Sequence, residues 1–279
     1  MMHPVSYALI VLAVFLLLLL LQHRHHKQLK QQRQDYLAQL LVLRQLIGGF
    51  QRHRGLSNGV LCGDVSLRDQ LSHTRRELDQ LLNKALLLPT RHSNGWQALA
   101  DHWSRLGQGR TLDAKNNLQQ HHLLIRNSIF LFEDLALAAD LSNNRKDLYW
   151  LPVIWREVLQ TAEWAGQARA LGTGMAATRH SSPEQRIRMK FLYHKIRLLS
   201  EMAFSDLQPG FPNQSPQAAG LLNICQQQVQ QLLTCINDQL LLNSQINISA
   251  PDYFRQASET IDALLALVDI TLHDLQQES

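Results

Sequence analysis

Gly49-Phe50-Gln51-Arg52-His53-Arg54-Gly55-Leu56-Ser57-Asn58-Gly59-Val60-Leu61 can be laid over Trp164-Ala165-Gly166-Gln167-Ala168-Arg169-Ala170-Leu171-Gly172-Thr173-Gly174-Met175-Ala176. Arg54 then meets Arg169, Leu56 meets Leu171 and Gly59 meets Gly174. Identity is thin, yet the segments around each copy repeat as well, and internal repetition decides architecture before any local reading does. In the first half, apolar spacing and stop signals predict helices over about Lys27–Leu61, Ser66–Leu88, Trp96–Leu106 and Thr111–Leu141. Ser66 with Asp69 reads as a capping pair, Pro89 as a stop, and Ser142-Asn143-Asn144 as the end of the fourth helix.

The second half follows the same order. Helices are predicted near Leu148–Ala177 with Pro152 in the first turn, Pro183–Asp206, Gln217–Leu242 and Pro251–Leu275. Ser182 and Gln185 form a capping box, and Gln208-Pro209-Gly210-Phe211-Pro212 breaks the chain. The expectation is an all-α fold of two four-helix bundles related by an internal pseudo-repeat, residues 28–144 and 145–279, joined near Asn143–Asp147. Heptads are not sustained over enough turns for a coiled-coil rod.

Composition agrees. Among 279 residues, 45% hydrophobic and 18% charged is ordinary for a globular chain and argues against disorder, while 13 glycines and 8 prolines are few for a turn-rich β protein. The uncharged run Val5–Leu21 reaches about 25 Å as a helix, near the lower limit for the hydrocarbon core. With no Lys or Arg before it and no small-x-small site after it, it reads as an uncleaved N-terminal transmembrane helix, with residues 1–27 as anchor and basic flank. Arg24, Lys27, Lys30 and Arg33 all follow the run, which predicts a single-pass protein of the bacterial inner membrane with its bundles in the cytoplasm.

Cys62, Cys225 and Cys235 form neither a CxxC nor an even set, so no disulfide framework or zinc site is read. The cluster at His23, His25 and His26 suits lipid headgroups better than a metal. The net charge of +4 owes much to this flank, and no basic stripe with interleaved aromatics follows, which argues against a nucleic-acid partner. HExxH, P-loop and GxGxxG motifs are absent, and Gly55-Leu56-Ser57-Asn58-Gly59, which fits GxSxG, falls inside a predicted helix and not at a strand-to-helix turn, so the chain does not read as an enzyme and no cofactor is expected. His121 and His122 are adjacent and therefore point to different faces of a helix.

The informative segment is Gln51–Ser57, where Arg52 and Arg54 stand among Gly48, Gly49, Gly55 and Gly59 on a helix. Each glycine costs about 1 kcal/mol against alanine there, so close approach of a backbone or a ligand is implied. Gly166, Arg169, Gly172 and Gly174 repeat the combination, and two such helices packed together would bring their arginines near each other. A buried guanidinium needs a carboxylate or an anion, and the nearest acidic residues in sequence are Asp64 and Glu163. Nitrate and nitrite suit an arginine fork because their oxygens accept two parallel hydrogen bonds.

At this point the chain resembles the nitrate- and nitrite-sensing (NIT) domain family over about Gln34 to Gln276. That family's first helix carries a motif close to Gln-x-Glu-Arg-Gly-x-Ser. Gln51, Arg54, Gly55 and Ser57 match it, with His53 at the glutamate position and Arg52 beside it. The second-half segment Gly166–Gly172 resembles the corresponding helix and supplies Arg169. Together with the uncharged N-terminal run, the resemblance implies a membrane-anchored sensor that binds nitrate or nitrite at the interface of its bundles, through Gln51, Arg52, Arg54, Ser57 and Arg169. It also implies a further late arginine, for which Arg197 and Arg255 are both open. Relatives carry a chemoreceptor region, a kinase or an RNA-binding antiterminator as output. None is read here, so the signal is expected to pass through the anchor, a homodimer or a separate partner. The competing reading is a ligand-free, membrane-anchored helical scaffold or protein-interaction module.

Overall fold

The computed structural model describes residues 4–107, 113–139, 141, 146–242 and 245–277, with side chains from Phe15 onward. It is all-α, with no strand among the described residues. The first half contains α1 (Pro4–Leu61), α2 (Arg68–Leu86), α3 (Ser93–Gly107) and α4 (Ala114–Ala138). The second contains α5 (Leu151–Val153), continued by a π turn (Ile154–Val158) into α6 (Leu159–Thr178), then α7 (Pro183–Leu207), α8 (Pro216–Cys235) with a further π turn (Ile236–Leu242), and α9 (Ala250–Gln277). In the first group α1 packs on α2 and α4, and α3 on both α2 and α4; in the second, α6 packs on α7 and α9, and α8 on α7 and α9. The groups meet where α1 touches α6 and α9 and where α4 touches α6. Their buried apolar side chains form one continuous cluster, from Tyr36 and Leu40 on α1 to Leu272 on α9.

The end signals explain most boundaries. Ser182 accepts from the Gln185 amide at 3.2 Å while the Gln185 side chain accepts from the Ser182 amide at 2.8 Å, so the expected capping box closes. Ser215 caps α8 by accepting from the Ala218 amide at 3.0 Å, without a reciprocal bond, and Pro216 stands in the first turn. The Ser66 and Asp69 pair does not form. Asp64 instead accepts from the Ser66 amide and caps a 3₁₀ turn, Val65–Leu67, that leads into α2 without a side-chain cap of its own. The expected start of the fourth helix at Thr111 and its end at Ser142-Asn143-Asn144 lie outside the described residues; the observed start is capped by Asp113, which accepts from Lys115 and Asn116. Neither π turn has a sequence signal of the kind that marks caps and prolines.

The basic flank and the first bundle helix, read separately in the sequence, are one uninterrupted helix. At 58 residues α1 is about 87 Å long, and it stands clear of the other helices until Gln32. Phe15 to Leu21 are consecutive apolar side chains exposed at 45% or more. Among the described residues no helix is long and apolar enough to cross a membrane. The larger part of the expected span, within residues 1–14, lies outside the described side chains.

Candidate functional site

Where α1 crosses α6, Gly166 makes room for Arg54: a Cβ at that position would lie 2.6 Å from Arg54 Nη2. Arg54 is 1% exposed, and its Nη1 donates to Glu163 Oε1 at 2.5 Å. The other carboxylate oxygen accepts from Gln51 Nε2 at 3.1 Å, and Oε1 also accepts from Gln167 Nε2 at 3.0 Å. The carboxylate therefore accepts three hydrogen bonds, which offset much of the cost of taking its charge out of water. Arg54 Nη2 has no hydrogen-bond partner among the described residues. Glu163 is thus the counter-charge of the first arginine, contributed by the opposite half of the chain.

Arg169 is treated differently. It opens into a cleft of about 1220 Å³ between α1, α2, α6 and α9, whose lining includes Gln51, Arg52, Gly55, Phe254 and Ser258. Its Nη1 donates to Ser258 Oγ at 2.8 Å, and its guanidinium lies 4.9 Å over the Phe254 ring. Among the described residues no carboxylate stands within ion-pair distance of it. Burial, and then the nearby charge of Arg54, hold its pKa at about 10, still fully protonated at neutral pH. Asp262 opposes that shift, but its side chain is exposed at the cleft rim, and Glu163 is committed to Arg54. The groups withdrawn from water, Arg54, Arg169 and Glu163, therefore leave one positive charge unbalanced, and it faces the cleft.

The five residues expected at the site separate into two sets. Gln51, Arg52 and Arg169 line the cleft, with Arg52 exposed and 3.7 Å from Glu77. Arg54 and Ser57 do not line it. Ser57 faces the interior of the first group, where its hydroxyl accepts from Asn117 Nδ2 at 3.0 Å. Of the late arginines left open, Arg255 is exposed and paired with Asp252 at 2.6 Å. Sequence reasoning missed Ser258 and Phe254, which no motif marks. Glu163 was noticed as the nearest acid but not as the partner of Arg54. Tyr253 was also missed: its ring occupies the gap left by Gly172, and its hydroxyl donates to the Ala168 carbonyl at 3.0 Å, docking α9 against α6.

His53 meets His121, with Nδ1 and Nε2 2.8 Å apart. His121 Nδ1 must donate to the Asn117 carbonyl, 2.8 Å away, so its Nε2 accepts and His53 Nδ1 donates. Both rings are neutral. Burial and then the charge of Arg75 lower His53 to about 4, and burial followed by repulsion from His53 lowers His121 to about 3. The unfolded chain takes up these protons near the ordinary 6.5, so below that value it binds more protons than the folded one. Stability should therefore be complete above about pH 6.5 and fall as the pH drops toward 4, by about 2 kcal/mol per histidine at pH 5. Urea midpoints at pH 7 and pH 5 measure this, and an equal drop in His53→Gln would exclude His53 as one of its sources.

The comparisons agree with this fold. A family model described as nitrate and nitrite sensing matches residues 45–276. A solved structure titled "Structure of the NasR transcription antiterminator" superposes with a TM-score of 0.59 at 20% identity, covering 93% of this chain and 74% of that one. No curated protein matches by sequence. With most of its length matched by that model, the chain belongs to the nitrate- and nitrite-sensing (NIT) family.

Proposed function

We propose that the chain is a sensory protein that binds one monovalent oxyanion, nitrate or nitrite, in the cleft beside Arg169. The observation that carries this reading is the contrast between the two arginines of the repeat. Arg54 has its carboxylate, whereas Arg169, also partly withdrawn from water, has only a neutral hydroxyl and an aromatic face. A single unbalanced charge favours a monoanion over sulfate or phosphate, whose second charge would be desolvated without a partner. Arg169 would hold the anion, Gln51 and Arg52 would approach it from α1, and Arg54 would act from behind through Glu163.

Gly55 supports the same site. It lies on the cleft, is exposed, and a Cβ there would meet nothing within 4 Å. No packing among the described residues accounts for a glycine in that helix, while a bound anion and its water would use the open space. Gly55→Ala should therefore stabilise the protein by about 1 kcal/mol and weaken nitrate binding. Calorimetry with nitrate and nitrite on the detergent-solubilised full-length chain, paired with thermal melts, tests both effects. No saturable heat with either anion at millimolar concentration would leave the ligand-free scaffold.

In this reading residues 28–144 and 145–279 are two bundles with the site at their seam. An anion touching α1, α6 and α9 together shifts their relative position only through its differential affinity for the two arrangements. Helix α1 would carry that shift outward to a second copy or a separate signalling partner. Its exposed run through Phe15–Leu21 would sit in the bacterial inner membrane, with Arg24, Lys27, Lys30 and Arg33 holding the bundles on the cytoplasmic side. Alkaline phosphatase fused after Ser279 should be inactive; activity would reverse the orientation.

A further inference from the structure

A second cavity, of about 220 Å³, lies between α4, α6 and α7 and shares no lining residue with the cleft. Glu163 and Gln167 on α6 face it, and helical spacing places them on a different face from Arg169. The cavity has two kinds of wall. Arg126 from α4 and Arg188 from α7 bring two guanidiniums, and His122 brings an imidazole whose Nε2 is buried without a hydrogen-bond partner. Apart from the neutral Gln160, the remainder is apolar: Trp164, Ile129, and the side chains of Leu123 and Phe130, which are exposed at 37% and 48%.

Glu163, the carboxylate in this lining, is already held by Arg54, Gln51 and Gln167, and so does not neutralise Arg126 and Arg188. Arg188 makes a bond of 2.6 Å to the neutral Gln167 Oε1 and lies 5.0 Å over Phe191, itself edge-on to Trp164. A bare inorganic anion would cover none of the exposed apolar wall. A cavity of about 150 Å³ lined by apolar side chains accepts benzene. The larger space here has room for a ring or branched chain of that size together with a carboxylate.

We propose that this cavity binds a small organic monocarboxylate with an aromatic or branched body. Arg188 and Arg126 grip the carboxylate, His122 Nε2–H donates to it, and Trp164, Phe130 and Leu123 cover the body. Occupancy also reaches the cleft. A carboxylate on Arg188 competes with Gln167 Oε1, Gln167 holds Glu163, and Glu163 orients Gln51 in the cleft lining. This coupling, unlike the site itself, rests on the nitrate reading above.

Benzoate is the probe, titrated by calorimetry into the full-length chain without nitrate. The expected result is saturable one-to-one binding, at least tenfold weaker for acetate, which lacks the body, and for benzyl alcohol, which lacks the charge. Arg188→Met and Leu123→Asp should each weaken benzoate at least tenfold while the thermal midpoint stays near that of the parent. No saturation at millimolar benzoate, or equal affinity for acetate, would overturn the site, as would indifference to Arg188→Met. With benzoate bound, nitrate affinity should change by the same factor by which nitrate changes benzoate affinity, and Gln167→Leu should abolish that factor. Nitrate affinity that is unaltered by benzoate overturns the coupling. Failure of nitrate to bind at all counts against the cleft reading, since benzoate is measured separately.

Discussion

Arg169→Ala is expected to lower nitrate affinity about 10- to 150-fold while leaving the protein as stable as before, or more so. A hydrogen bond to a charged group contributes about 1.5–3 kcal/mol, which sets that range. The stability half of the result follows from the same geometry. Arg169 is desolvated and repelled by Arg54, and its bond to Ser258 is to a neutral hydroxyl. Removing it relieves an unbalanced charge and leaves no carboxylate stranded. Arg169→Lys should fall between, because an ammonium keeps the charge but not the planar fork. Calorimetry and urea midpoints on the three proteins measure both halves. Undiminished nitrate affinity in Arg169→Ala would remove the cleft as the anion site.

Glu163→Gln should have the opposite profile, a loss of about 3–5 kcal/mol in stability with no change of shape. The substituted amide is isosteric, so the loss isolates the charge: Arg54, 1% exposed, would be left without a counter-ion and with one amino group already lacking a partner. The double variant Arg54→Met, Glu163→Leu removes both charges and should recover most of the loss, since a buried pair replaced by apolar groups of similar size is often neutral. A second consequence is linked to function. With Glu163 neutral, Arg54 and Arg169 both seek an anion, so millimolar nitrate should raise the urea midpoint of Glu163→Gln more than that of the parent. Equal midpoints for the parent and Glu163→Gln would show that the ion pair has no structural role.

These two residues also show where sequence reasoning stops. The correspondence of Arg54 with Arg169 is legible from the repeat, and it suggests equivalent roles at one site. The structure assigns them different ones, because Glu163 lies on α6 itself and reaches across to α1, so it neutralises the arginine of the other half and not its own neighbour. Ser57 matches the family motif and sits one turn from Arg54, yet it turns toward Asn117 inside the first group. His53 occupies the position of the family's glutamate, and its partner, His121, comes from α4.

What the sequence by itself determined is whatever depends on neighbours along the chain. The 3.6-residue apolar spacing, the Ser182 capping box, the proline stops and the glycine-arginine segments all act within a few residues, and together they specify an all-α chain and its family. What only the tertiary structure decided is pairing between groups distant in sequence. It determined which carboxylate neutralises which arginine, which faces of α6 meet the cleft and the second cavity, and where a positive charge is left over. Such pairings depend on how helices cross and on which polar groups lose their water together. Burial of charge in a medium of low dielectric makes them energetically decisive, and no local pattern encodes them.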